Sequence, residues 1–258
     1  MNPHLRVTLV QSEIAWEGPA ANRHRLAEHF RGLAGHTDLI VLPEMFSTGF
    51  SMAAGALAET MNGPTVGWMR EEAAAMGCVI TGSLIVRDQG RYFNRLVWAR
   101  PDGSLAHYDK RHLFRMAGEH EHYAPGGSRL TVELKGWRVC PLICYDLRFP
   151  VWSRSRGDYD LLLYVANWPA RRAHAWAALL RARAIENLCY VAGVNRVGED
   201  GTGNRHMGDS SVTSPWGETL VSAAETQTVL VADVDPATVA DARARFPALN
   251  DRRAGYVR

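Results

Sequence analysis

The sequence predicts an α/β fold in which sheets lie between layers of helix. Three observations predict it. Strand-like and helical runs alternate early and late in the chain, with a block of strands between them. Several strand-like runs, such as Leu39-Ile40-Val41-Leu42, are apolar throughout, the pattern of strands covered on both faces. No linker, repeat or low-complexity stretch interrupts the chain, so residues 1–258 are expected to form one domain. In order, strands are expected at 6–11 and 39–42 around a helix at 20–33. A second helix is expected at 65–76, with Pro64 before it and Gly77 after it as start and stop. Strands at 78–86 and 92–99 follow, then the turn Asp102-Gly103 and a strand at 104–108. The second half is expected to carry strands at 139–143 and 161–165, a helix at 173–187, and strands at 190–195 and 228–234. Gly201-Thr202-Gly203 reads as a simple turn.

Composition excludes several classes of function. A formal charge of +2 is too small to argue for nucleic acid or a membrane surface as partner. No run reaches the ~18 apolar residues of a membrane-spanning helix. The start of the chain enters a strand pattern directly and lacks the basic and apolar regions of a signal peptide, so a cytoplasmic location is expected. Cys78, Cys140, Cys144 and Cys189 lie in or beside apolar runs and read as reduced thiols. There is no Gly-x-Ser-x-Gly elbow and no Gly-rich nucleotide loop. His107, His112, His120 and His122 lack the Cys or carboxylate framework of a zinc site, so neither a metal nor a cofactor is expected.

Three strand ends carry the chemistry. Cys144 closes the apolar run Val139-Cys140-Pro141-Leu142-Ile143, Glu44 follows the strand ending Leu42-Pro43, and Lys110 follows Tyr108-Asp109. A free thiol with a pKa near 8.5 is mostly protonated at neutral pH, so attack on a carbonyl needs a base. Glu44 is the candidate base, and Lys110 the fixed cation that holds an oxyanion together with the backbone N–H of Tyr145. Taken singly, each residue has a plain structural reading: core packing for Cys144, a helix-start carboxylate for Glu44, a solvated basic face for Lys110.

The combination changes that weighting. Leu42-Pro43-Glu44, Tyr108-Asp109-Lys110 and Ile143-Cys144-Tyr145-Asp146-Leu147-Arg148-Phe149-Pro150 resemble the carbon–nitrogen hydrolase (nitrilase) superfamily in order and separation. The resemblance covers nearly the whole chain. It implies a four-layer α-β-β-α sandwich, commonly a homodimer, in which a second glutamate, here Glu119, hydrogen-bonds the lysine. It implies that Ala166-Asn167-Trp168-Pro169 walls the pocket, that residues 181–187 are structural or at an interface, and that Gly208-Asp209-Ser210-Ser211 belongs to a late strand. A C-terminal tail from about residue 246 is expected to contact a partner subunit.

The text around the three residues is closest to the omega-amidase branch: Met45-Phe46-Ser47-Thr48-Gly49-Phe50, Lys110-Arg111-His112-Leu113-Phe114, and Cys144 to Trp152. That branch hydrolyses the terminal amide of 2-oxo dicarboxylic acid monoamides. The resemblance also admits a deaminated glutathione amidase, an N-carbamoyl hydrolase, or a non-catalytic binding protein of the same fold. A small anionic amide needs a cation for its far carboxylate, for which Arg148, Arg171 and Arg172 are candidates. Phe46, Phe114, Tyr123 and Trp168 are expected as an aromatic wall.

Overall fold

The computed structural model describes residues 3–253. In chain order the elements are β1 (Leu5–Gln11), α1 (Pro19–Phe30), β2 (Leu39–Val41), α2 (Ala54–Leu57), α3 (Pro64–Met76), β3 (Val79–Asp88), β4 (Arg91–Ala99), β5 (Leu105–Asp109) and α4 (Glu119–His122). Then come β6 (Val132–Leu134), β7 (Trp137–Ile143), α5 (Pro150–Ser153), β8 (Leu161–Ala166), α6 (Ala173–Asn187), β9 (Tyr190–Asn195), β10 (Val197–Glu199), β11 (Arg205–Met207), β12 (Ser210–Thr213), β13 (Thr219–Ala223), β14 (Thr228–Val234) and α7 (Pro236–Arg245). They form two six-stranded sheets, β14-β1-β2-β3-β4-β5 and β13-β12-β9-β8-β7-β6, and the hairpin β10-β11. Each sheet has a parallel centre, β1-β2-β3 in one and β7-β8-β9 in the other, flanked by antiparallel strands.

The layering follows from side-chain alternation. Leu5, Val7 and Leu9 of β1, Leu39 and Val41 of β2, and Leu96 and Trp98 of β4 pack in one core with Val139 and Leu142 of the second sheet. The alternate residues Val10, Ile40, Val97 and Ala99 pack with Leu26 and Phe30 of α1 and Val66, Met69 and Ala73 of α3. On the far side, Trp176, Leu180 and Ala184 of α6 and Val239 of α7 cover the second sheet. The result is the expected α-β-β-α sandwich. Gly193 of β9 makes the close approach of α6 possible: a Cβ there would stand 2.6 Å from Leu180 Cδ1 and 2.8 Å from Trp176 Cζ2. Burying Leu180 in that contact is worth roughly 1.5–3 kcal/mol.

The expected strands and helices are present, with shifts at their ends. The first helix stops at Phe30 rather than at residue 33, because Arg31 turns extended and Gly32 takes a φ of +83°. β6, the hairpin β10-β11, β13, α7 and the one-turn helices were not expected; each is short or lacks a continuous apolar run. Beyond α7 a single turn spans Ala248–Asp251, and the Arg252 guanidinium donates to Leu249 O and Ser155 O. The rest of the expected partner-contacting tail, from residue 254, lies outside the described residues.

Candidate active site

Four strand ends deliver the site. β2 is followed by Glu44, whose neighbour Met45 takes a φ of +42° and is held by donation of its N–H to Ser83 Oγ at 2.8 Å. β5 ends one residue before Lys110, whose N–H donates to Asn94 O at 3.0 Å. β7 ends at Ile143, and Cys144 itself has a φ of +42°. That conformation is uncommon for a residue with a Cβ and stores strain at the thiol; it turns the strand at once into a 3-10 segment, Cys144–Arg148. β8 ends one residue before Asn167.

These ends meet in a buried ionic cluster. Lys110 Nζ donates to Glu44 Oε1 at 2.7 Å and to Glu119 Oε1 and Oε2 at 3.0 and 2.9 Å. Asn94 Nδ2 donates to Glu44 Oε1 at 2.8 Å and to Glu119 Oε1 at 3.1 Å. Glu44 Oε2 accepts the N–H of Asn167 at 2.9 Å, and Asn167 Nδ2 donates to Glu44 O. Glu119 Oε2 accepts the N–H of Phe114 at 2.5 Å. Glu44, Lys110, Glu119 and Asn94 are all at most 1% exposed, and Cys144 is 8% exposed.

Electrostatics follows from that burial. Burial alone would push the Lys110 ammonium down, but Glu119 and Glu44 outweigh it and hold it above the ordinary lysine range. Burial raises the Glu119 carboxyl, opposed by Lys110. The Cys144 thiol stands well above the ordinary thiol range, through burial first and the Glu44 charge second, with Lys110 pulling it down. A resting thiol in this position is protonated, so nucleophilic attack requires a base beside it; the Glu44 carboxylate lines the same pocket and its charge acts on the thiol.

The cluster opens into a pocket of about 350 Å³ that includes Glu44, Lys110 and Cys144 in its lining. Phe114, Tyr145, Arg148, Trp168, Arg171 and Arg172, all named from the sequence as candidates, also line it. The Arg148 guanidinium lies over the Trp168 ring and that of Arg172 over the Phe114 ring, each at 5.1 Å from the centroid. Among the described residues none of the three arginines forms an ion pair. Arg172 is lowered from the ordinary guanidinium value by burial and then by Arg171. Tyr145 N–H belongs to the first turn of the 3-10 segment, where N–H groups have no partner within the segment.

Two expected pocket residues are not in its lining. Phe46 is 1% exposed and packs between sheet and helix, 6.0 Å from the Trp68 ring centroid. Gly82 admits it: a Cβ there would stand 2.7 Å from Phe46 Cδ1. Tyr123 is 4% exposed and belongs to a cluster with Met45, Ala54 and Ile85, its hydroxyl donating to Ser51 O at 2.5 Å.

Several positions in or beside the pocket escaped sequence reasoning. Asn94 sits in the middle of β4 and bridges both carboxylates. Phe50 places its ring 5.0 Å from Lys110 Nζ. Asp200, Asn204 and His206 reach the pocket from the hairpin β10-β11 and its turn. Only Phe50, in the segment after Glu44, carried a signal, its place within the text that resembled the omega-amidase branch.

A family model described as carbon–nitrogen hydrolase matches residues 6–244. Omega-amidase YafV of Escherichia coli (strain K12) is 49% identical over 251 residues, covering 96% of this chain and 97% of that protein. The 2-oxoglutaramate amidase of Bacillus subtilis (strain 168) is 31% identical over 252 residues, covering 96% and 97%. Among solved structures, XC1258 from Xanthomonas campestris, a CN-hydrolase superfamily protein with an arsenic adduct in the active site, matches with a TM-score of 0.96 at 51% identity over 98% of each chain. With this fold and this match, the chain belongs to the carbon–nitrogen hydrolase family of the nitrilase superfamily. It is an amidohydrolase that acts on carbon–nitrogen bonds other than peptide bonds.

Proposed function

We propose that the enzyme is an omega-amidase that hydrolyses the terminal amide of 2-oxo dicarboxylic acid monoamides, 2-oxoglutaramate and 2-oxosuccinamate, to the 2-oxo diacid and ammonia. The observation that carries this reading is the pairing of the Glu44–Lys110–Glu119–Cys144 cluster, in one small pocket, with three arginines that have no ion-pair partner among the described residues. An amide at Cys144 and a carboxylate at the arginines describe a short molecule with those groups at opposite ends. The resemblance to an omega-amidase and to a 2-oxoglutaramate amidase supports the same substrate class.

In the proposed cycle Glu44 takes the thiol proton as Cys144 Sγ attacks the amide carbon. The carbonyl electron pair moves onto oxygen, held by Lys110 Nζ and the Tyr145 N–H. The tetrahedral adduct collapses, Glu44 returns the proton to nitrogen, ammonia leaves and a thioester remains. Glu44 then takes a proton from water, which attacks the thioester, and the acid is released with the thiol restored. Glu119 holds Lys110 by two hydrogen bonds and keeps it charged.

The test is a comparison of kcat/KM on 2-oxoglutaramate, 2-oxosuccinamate, deaminated glutathione and N-carbamoyl amino acids. Preference for the first two is expected. A higher value on deaminated glutathione or an N-carbamoyl compound would reassign the substrate and leave the amidohydrolase class intact.

A further inference from the structure

Lys110 leaves the first sheet at the end of β5, and Cys144 leaves the second at the end of β7. Catalysis needs the ammonium and the thiol in fixed register, yet the two belong to different sheets. The Asp146 side chain spans the gap. Asp146 Oδ2 accepts the Tyr108 hydroxyl at 2.8 Å and the N–H of Ile143 at 3.1 Å. Asp146 Oδ1 accepts the N–H of His112 at 3.0 Å, and His112 Nδ1 stands 2.7 Å from the same oxygen, the spacing of an N–H donor. Tyr108 and His112 lie two residues before and two residues after Lys110, and Ile143 immediately precedes Cys144. A single carboxylate therefore grips both flanks of the lysine and the root of the nucleophile.

The grip is built to be rigid. Asp146 is 0% exposed and Tyr108 2% exposed. The Tyr108 oxygen also accepts the Trp152 indole N–H at 3.0 Å and the Arg111 N–H at 3.2 Å, so it cannot swing away. The His112 ring stacks on Phe149, centroids 3.7 Å apart and planes 5° from parallel. Phe149 in turn meets Tyr145, the residue after the thiol, edge to face at 5.1 Å. Every acceptor direction used on Asp146 points to a residue beside Lys110 or Cys144.

We propose that Asp146 is a positioning residue that sets the register of Lys110 against Cys144 by clamping the end of β5 to the end of β7. It touches no reacting atom; it acts through Tyr108, His112 and Ile143. This rests on reading Cys144 as nucleophile with Lys110 as its cation. Loosening the clamp leaves Glu44, which Asn94 and Asn167 hold independently, in place. The charged groups acting on or beside the thiol are Glu44, Lys110, Glu119 and Arg172. Of these, Lys110 and Arg172 carry the positive charge that lowers the thiol, and Lys110 is the one whose flanks the clamp holds.

The experiment uses Asp146→Asn and Tyr108→Phe in the full chain, with Cys144→Ala beside them. Asp146→Asn turns one acceptor oxygen into a donor facing donors; Tyr108→Phe removes one arm of the clamp, and with it the acceptor of the Trp152 indole and Arg111 N–H groups. Expected is a loss of about 10- to 100-fold in kcat, the scale of a misplacement near 1 Å, with a much smaller change in KM. Alkylation of Cys144 by iodoacetamide should shift its inflection to higher pH, because Lys110 pulls the thiol down less well. A purely structural role would lower thermal stability without moving that inflection in the fraction still folded. Tyr108→Phe keeps the test decisive where Asp146→Asn does not fold. Wild-type kcat with an unmoved alkylation profile in folded Tyr108→Phe, or a loss confined to KM, overturns the proposal. Full activity in Cys144→Ala would instead overturn the reading on which it rests.

Discussion

The backbone N–H of Asn167 donates to Glu44 Oε2 at 2.9 Å, joining the end of β8 in one sheet to the carboxylate that follows β2 in the other, 123 residues apart. The other oxygen, Oε1, takes Lys110 at 2.7 Å and Asn94 at 2.8 Å. Each oxygen of Glu44 thus has assigned partners, and the carboxylate cannot rotate without breaking bonds to two sheets. A base held in this way meets a thiol with little reorganisation, which is where a buried polar site gains over water.

Lys110→Met removes the cation and leaves Glu44 and Glu119 buried close together. One carboxyl is then expected to take up a proton. Stability should fall by roughly 3–5 kcal/mol, the cost of breaking a buried pair. Turnover should fall by about 10²–10³-fold or more, the scale of a lost oxyanion donor. Intact-mass spectrometry of a rapidly quenched reaction checks this: a wild-type burst of acyl-enzyme would contradict the role given to Lys110.

The arginines should act on the anionic end of the substrate alone. Arg148→Gln and Arg172→Gln are expected to raise KM for an anionic amide by about 10- to 100-fold, the equivalent of one charge-assisted hydrogen bond. KM for a neutral amide such as propionamide should change little. Steady-state kinetics on both substrates checks it; an equal rise for the two would show that the arginines shape the pocket without reading charge.

Phe46 and Phe114 should separate stability from binding. Phe46→Ala empties a packed position between sheet and helix and should cost about 3–5 kcal/mol in chemical denaturation, with KM unchanged in the folded enzyme. Phe114→Ala, in the pocket lining under Arg172, should show the reverse. A KM defect in Phe46→Ala of the size seen in Phe114→Ala would contradict the placement of its ring.

His206 ties stability to pH. Burial, and after it Arg196, hold its imidazole down to about 4 from the ordinary 6.5. Between those values the unfolded chain binds the proton and the folded one does not, so stability rises with pH through that window and is lost as pH falls through it. The loss amounts to roughly 3 kcal/mol by the bottom of the window. Melting curves at pH 7 and pH 4.5 should show a smaller drop for His206→Gln than for the wild type. Equal drops would mean that His206 titrates as it does in the unfolded chain.

The parts of the site legible in the sequence are those mounted where a strand stops. Glu44 and Cys144 each interrupt an apolar run, and a reactive residue at such a break stands out, whereas Lys110 follows the mixed run Leu105-Ala106-His107-Tyr108-Asp109 and was legible from its order and separation relative to the other two. Asn94 does not stand out, because it lies inside β4 among residues that read simply as strand. Its role is visible only when β4 is set beside the loops that carry Glu44 and Glu119. His206 and Asp200 were hidden for a similar reason: the hairpin that brings them to the pocket is too short to show periodicity, and its turn read as a turn and nothing more. Phe46 misled because nearness in sequence to Glu44 does not fix the face on which a ring emerges. The missing Cβ of Gly82, a strand away, decided that. The layering itself was legible because the central strands are apolar on both faces, whereas the edges β6 and β13 carry too few apolar residues to announce themselves.

The most direct test of the central claim is ammonia release from 2-oxoglutaramate by the wild type and by Cys144→Ala, with circular dichroism to confirm that both are folded. Expected is steady release by the wild type and none above background by the variant. Equal release by the two would contradict Cys144 as the nucleophile, and with it the whole assignment of roles around Glu44 and Lys110.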